Sequence, residues 1–344
     1  MQNNNTAFAK KTPSLFVINS PLHVLCIVEA IKEFCIEDYY VVFFTKKTEI
    51  RNAQTISMLE HFNIRYIRKD LSLGLKLHSF FRLLFGSSKA YPRVFIPCGL
   101  GGIVSVVGVG YLQKKGQMVY IDDGIASIPI LKGDKNSLVN KFCYLHSSFL
   151  KLICKYKRIE LEKYYYTIYS DITTSKITYT NTFANLKKKL SVGNHQDGIY
   201  FIGTVINRVC ELNGIPLNLF KKILGNLMDD AIKYNPGKKV YYIPHGRDTS
   251  SFIVDFCKLH NVEYCHLDEA VELFFVRNNI HPLAVYGYVS TALLNIKMLM
   301  PETKTVNWYL ASRKSILYEN RHNISIYYAS RGIEYWFFDV DTFR

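Results

Sequence analysis

Short, continuous apolar runs recur along the chain. They are separated by longer stretches in which apolar positions return every three or four residues. "SLFVIN" (Ser14 to Asn19) is the first run, and Ser20-Pro21 follows as a serine cap and first-turn proline that open a helix. "DYYVVFFT", "IRYIR", "RVFIPC" (Arg93 to Cys98) and "GQMVYID" come next, with helical patterns between several of them. Runs buried on both faces and alternating with helices predict a parallel, doubly wound α/β sheet.

The texture changes between Asp134 and Tyr169, where aliphatics, tyrosines and lysines mix, and alternation resumes at "IYFIGT" (Ile199 to Thr204). A long helical pattern leads to "KKVYYIPH", and "VEYCHL" and "LAVYGYVSTALLNIKML" continue the series. Two such halves predict paired Rossmann-like domains facing across a cleft, with the boundary near Asn194 to Gly198. The expected division is a disordered polar tail over residues 1–13, domains over 14–195 and 196–320, and a segment over 321–344 packing back on the first domain.

Composition narrows the partners. Of 344 residues, 49 % are hydrophobic and 21 % charged, enough for a sizeable core in each half. The formal charge of +15 points to anionic partners: phosphates, nucleic acid or an acidic membrane surface. Eight cysteines lie scattered, without a CxxC pair, as expected for buried thiols in a reducing, cytoplasmic setting. The polar start lacks the apolar segment of a signal peptide, and no apolar run is long enough to span a bilayer.

Candidate chemistry sits where apolar runs end. Asp122-Asp123-Gly124 follows "MVYI" at a strand's carboxyl end, where open α/β sheets bind ligands. Adjacent carboxylates raise one another's pKa and can yield a base, although Asp-Gly also makes an ordinary turn. His245 follows a strand and Pro244, placed to hold a phosphate or protonate a leaving oxygen, or to be a plain loop histidine. Ser290 and Thr291, after Gly287, start a helix whose donors and dipole favour an anion or serve only as a cap. Glu269 and Glu272 offer carboxylates for a ribose diol, or solvated helix charge. Gly101, within Leu100 to Gly102, marks a weaker Gly-rich strand-to-helix turn.

The order of these features resembles that of the bacterial two-domain GT-B sialyltransferases. Their acidic pair with glycine, their strand-end histidine and their late Ser/Thr pair correspond here to Asp122-Asp123-Gly124, His245-Gly246 and Ser290-Thr291. "YYIPHGRD" and "LFVINSPLHVL" look most like glycosyltransferase family 52, the lipooligosaccharide and capsule sialyltransferases, over about Ser14 to Lys297. Gly246 departs from the proline common after that histidine. The resemblance implies inverting, metal-independent transfer of sialic acid from CMP-sialic acid to a sugar hydroxyl, with galactose the expected acceptor. It implies no cofactor. The first domain would serve the acceptor and the second the donor. Asp122 would be the base, with Asp123 orienting the loop and Asp229 or Asp230 in reserve. His245, Gly246, Gly287, Ser290, Thr291, Glu269, Glu272 and Gly101 would meet the donor.

Three other readings stay open. One is a glycosyltransferase using a different nucleotide sugar. Another is a GT-A enzyme using Asp339-Val340-Asp341 as a metal-binding DxD. The third is a basic nucleic-acid-binding protein, for which no recognised motif is present. A homodimer is also compatible with the sequence. Lys141 to Tyr169, rich in tyrosine and basic residues, suggests a face lying on an anionic inner membrane surface, or else an amphipathic helix packed on the core.

Overall fold

The computed structural model describes residues 13–45, 49–70, 91–98, 108, 110–132, 154–155, 158–173, 177–190, 198–315 and 317–343. Its internal contacts divide the chain into two units, Met1–Asn185 and Leu186–Arg344. The expected boundary near Asn194 to Gly198 falls a little later in the chain.

The first unit carries seven strands: β1 (Ser14–Ile18), β2 (Tyr39–Thr45), β3 (Tyr66–Asp70), β4 (Tyr91–Pro97), β5 (Leu112–Ile121), β6 (Glu160–Thr167) and β7 (Thr178–Thr180). They form one sheet in the order β3-β2-β1-β4-β5-β6-β7, every neighbouring pair parallel. Its described helices are α1 (Pro21–Glu33), α2 (Glu49–His61), α3 (Ser127–Leu131) and α4 (Ala184–Lys187), the last crossing into the second unit. The order reverses between β1 and β4, which makes the carboxyl ends of those strands the unit's ligand-binding edge.

The second unit repeats the plan with β8 (Ile199–Ile202), β9 (Val240–Ile243), β10 (Glu263–Tyr264), β11 (Ala284–Tyr288), β12 (Lys304–Ala311) and β13 (Glu334–Asp339). Its sheet runs β10-β9-β8-β11-β12-β13, again parallel, with the reversal between β8 and β11. The helices are α5 (Ile206–Asn213), α6 (Leu217–Tyr234), α7 (Ile253–Leu259), α8 (Val271–Arg277), α9 (Thr291–Leu299) and α10 (Tyr318–Ser330). The architecture is thus α/β and GT-B-like.

The abundant Tyr and Phe residues serve these sheets. Residues paired in register stack ring on ring: Phe16 on Phe95 at 4.3 Å, Tyr120 on Tyr165 at 5.1 Å, Tyr200 on Tyr241 at 4.8 Å and Phe201 on Tyr286 at 4.7 Å. Such pairs add attraction beyond the apolar area they bury and help fix register.

The C-terminal segment joins the second sheet, where β13 pairs with β12 along six residues. Its apolar run finds hydrogen-bond partners there. The tyrosine-rich stretch contains a strand, β6, rather than a continuous helix. Tyr164, Tyr166 and Tyr169 are buried, so these rings are not available at a headgroup level. Tyr144, Tyr156, Lys151 and Lys157 lie outside the described residues, as does Gly101.

Candidate active site

Asp122 and Asp123 come directly after β5, and the fold treats them differently. Asp122 is 1 % exposed. Its Oδ1 accepts the Thr167 hydroxyl, and its Oδ2 accepts the Ile168 N–H at 2.9 Å. It therefore ties the carboxyl end of β5 to that of β6. Burial pushes its pKa up to about 7, opposed by the Thr167 and Ile168 hydrogen bonds and raised further by Asp123.

The carboxylate of Asp123 is 15 % exposed, and its Oδ1 lies 3.0 Å from Nε2 of His23. Its own N–H donates to Ser127 Oγ at 2.9 Å. Gly124 has φ +69°, a left-handed conformation that a side chain would strain, and it turns the chain into α3. Asp122, the expected base, is enclosed, whereas the Asp123 carboxylate is partly exposed, and a base needs reach before its pKa matters.

The raised pKa of Asp122 has a consequence for stability. Between the unfolded carboxylate value of about 4 and its folded value of about 7, the native state holds a proton that the unfolded state has lost. Its contribution is therefore fully present below about pH 4 and is lost as pH rises through 7. The difference in melting temperature between wild type and Asp122→Asn should shift in favour of the variant from pH 5 to pH 8. Parallel melting curves across that range would mean that Asp122 titrates normally.

His23 comes from the sequence "SPLHVL". Ser20, the N-cap of α1, accepts the His23 N–H at 3.4 Å, and Pro21 sets the first helical turn. The ring is fully buried, and its Nδ1 accepts the Asn19 N–H at 3.2 Å. In the sequence this histidine only interrupts an apolar run. A polar ring one turn into a helix that follows a buried strand was the available signal.

In the second unit His245 follows β9 and Pro244, partly exposed. Its Nδ1 accepts the Arg247 N–H at 3.1 Å, so the ring proton of the neutral form sits on Nε2. Gly246 lies in the turn closed by Asp248 N–H to the His245 carbonyl at 2.7 Å. The end of β8 passes close by: a Cβ on Gly203 would stand 2.6 Å from the Tyr242 hydroxyl and 3.0 Å from the His245 nitrogen. Ser290 caps α9, its Oγ accepting the Ala292 N–H at 3.3 Å, and Thr291 begins the helix. Val289 just before them has φ +45°, uncommon for a β-branched residue, with its N–H held by Asn307 Oδ1 at 2.8 Å. His245, Ser290 and Thr291 all follow carboxyl ends of strands at or next to the β8/β11 reversal.

Other expected donor-binding residues are engaged elsewhere. Glu272 is buried in α8 and accepts from Asn295 Nδ2 at 2.7 Å. Glu269, also buried, pairs with Arg277 at 2.8 Å. Both carboxylates thus have a protein partner, as buried polar groups require. Gly287 lies within β11, packed against Leu293 of α9. Asp229 pairs with His260 at 2.7 Å, and Asp230 lines a cavity of about 400 Å³ with Ala284 and Lys304, the first residues of β11 and β12. That is the amino edge of the sheet, opposite the ligand edge. In the DxD, Asp339 pairs with Arg313 at 2.7 Å and Asp341 accepts from Ser312 at 2.8 Å.

No protein-family model matches the chain, and no curated protein matches it. Among solved structures, an alpha/beta-galactoside alpha-2,3-sialyltransferase from the luminous marine bacterium Photobacterium phosphoreum is similar over 98 % of this chain and 100 % of its own, with a TM-score of 0.53 and 12 % identity. A protein assigned as a UDP-N-acetylglucosamine 2-epimerase from Listeria monocytogenes is similar over 89 % of this chain and 80 % of its own, with a TM-score of 0.52 and 11 % identity. At such identities the likeness is one of fold, and the fold they share with this chain is the two-unit, parallel-sheet α/β architecture described above.

Proposed function

We propose that the chain is an inverting glycosyltransferase that moves sialic acid from CMP-sialic acid to a hydroxyl of a terminal sugar, galactose in the first instance, on a surface glycan. The observation that carries this reading is placement. The acidic pair, the strand-end histidine and the Ser/Thr helix start, in the order found in sialyltransferases, all fall at carboxyl ends of strands at or beside the reversals of two sheets. Similarity in fold to a sialyltransferase supports it. Similarity to an epimerase shows that fold alone does not choose the reaction.

In the proposed step, the acceptor oxygen bonds to the anomeric carbon as that carbon's bond to the phosphate oxygen breaks. The acceptor proton passes to the Asp123 carboxylate, and CMP leaves with the bonding pair. Attack opposite the leaving group inverts the centre. Nε2–H of His245, the Ser290 and Thr291 hydroxyls and the positive end of the α9 dipole take up the phosphate charge. No metal is written into the step. Arg321, in the first turn of α10, has its pKa lowered by burial, and no carboxylate pairs with it among the described residues.

Calorimetric titration tests the nucleotide. CMP should bind, and UDP should bind much more weakly. Tight UDP binding without CMP binding would replace the reading with a transferase for another nucleotide sugar.

A glycolipid acceptor would place the protein at a membrane. With Tyr164, Tyr166 and Tyr169 buried, that proposal rests on charge: the net +15 and basic residues such as the exposed Lys155 and Arg158. Sedimentation with anionic liposomes should fall as salt rises, and changing Lys151, Lys155, Lys157 and Arg158 to Gln should release the protein. Equal partitioning onto neutral and anionic liposomes, or none on either, would refute it. Among the described residues no helix is long and apolar enough to cross a membrane.

A further inference from the structure

We propose that His23 is a positioning residue for the base: a neutral imidazole, protonated on Nε2, that holds the Asp123 carboxylate at the edge of the first sheet. The inference rests on the transfer reaction proposed above.

The ring's protonation follows from its neighbours. Nδ1 accepts the Asn19 N–H at 3.2 Å, so Nδ1 carries no proton and Nε2 carries the one a neutral ring has. Nε2 lies 3.0 Å from Asp123 Oδ1 and donates to it. A second ring proton would point at the Asn19 N–H, donor against donor, in a site with no exposure to water. The contact is therefore a hydrogen bond from a neutral ring to a carboxylate, not an ion pair.

Its place in the fold gives that bond leverage. Asn19 and Ser20 end β1, and the cap of α1 fixes the ring one turn later. Asp123 follows β5, and β4 lies between β1 and β5 in the sheet. The bond thus spans the carboxyl end of β4, beside the reversal where ligands bind. One carboxylate oxygen is oriented by His23 while the loop backbone is oriented by Ser127.

This arrangement also fixes the path of the proton. His23 cannot take it from Asp123 without losing the Asn19 bond. The acceptor's proton stays on Asp123 until solvent removes it, and His23 contributes orientation rather than relay. Misplacement of a reacting group by about 1 Å costs on the order of 10²-fold in rate, which sets the scale of the expected effect.

The test uses the full chain with two variants and two readouts. His23→Phe keeps the ring's bulk but removes the donor, and should lower kcat by about 10- to 100-fold with the KM for CMP-sialic acid changed little. His23→Gln restores an N–H donor and should recover most of the loss. Long-range nitrogen–proton NMR of the histidine ring should show Nε2–H for His23 and a shift of that signal in Asp123→Asn. Wild-type kcat in folded His23→Phe, a loss that only tracks the unfolded fraction, no recovery in His23→Gln, or an Nδ1–H ring would overturn the assignment. If the wild type turns over no CMP-sialic acid, the reaction reading fails instead. The NMR signal then still decides the pairing, and an unmoved His23 signal in Asp123→Asn would refute it.

Discussion

Asp123→Asn should reduce sialyl transfer by on the order of 10²- to 10⁴-fold, the range for loss of a positioned base, while CMP binding and folding persist. The substitution is mild for the structure. An amide oxygen can still accept from His23 Nε2, which lies 3.0 Å from Oδ1, and the backbone bond to Ser127 is untouched. What disappears is the carboxylate's ability to take the acceptor proton. Asp122→Asn is the informative partner. Asp122 is enclosed, with both oxygens bound across the β5–β6 edge, so its loss should alter stability and its pH dependence more than turnover. Rates with saturating donor and acceptor check both. If Asp122→Asn abolishes transfer and Asp123→Asn does not, the enclosed carboxylate must become exposed during turnover, and the base is Asp122.

His245→Ala should lower turnover by roughly 10²-fold or more, again the scale of one acid/base group, and should weaken CMP binding. Removing the ring takes away the Nε2–H that the proposed step sets against the phosphate. It also takes away the Nδ1 acceptor that ties down the Arg247 N–H at 3.1 Å, so the turn loosens as well. His245→Gln separates the two losses, because an amide can donate to phosphate without ionising. Partial recovery of CMP binding without recovery of turnover would identify His245 as the acid. Near wild-type turnover in a folded His245→Ala protein would remove it from the chemistry.

The strands were legible where their pattern was strongest. The first five apolar runs became β1 to β5: β1, β2 and β4 are buried on both faces along most of their length, which leaves few alternatives, whereas β3 lies at the sheet edge without a fully buried residue. β6 was hidden because "ELEKYYYT" is mostly exposed in its first half and buried mainly in its second, so it reads like the mixed stretch around it. β13 was visible as an apolar run but not as part of the second sheet, since strand pairing depends on topology that no local pattern encodes.

The candidate site was legible as a set of strand ends, not as a set of roles. Asp122-Asp123-Gly124, His245 and Ser290-Thr291 stand where their spacing from apolar runs put them. Which carboxylate is enclosed depends on Thr167 and Ile168, 45 and 46 positions later. Which histidine orients it depends on a contact spanning 100 positions. Glu269 and Glu272 looked available because helical charge usually is. Arg277 and Asn295, brought close by folding, engage them instead.

The most direct measurement is a donor screen with the purified chain and a galactose-terminated acceptor, following nucleotide release and acceptor mass. Sialyl transfer predicts CMP release from CMP-sialic acid, an acceptor heavier by one sialic acid, inversion at the anomeric carbon, and little turnover of UDP-linked sugars. Turnover of a UDP- or GDP-linked sugar with CMP-sialic acid left intact would contradict it.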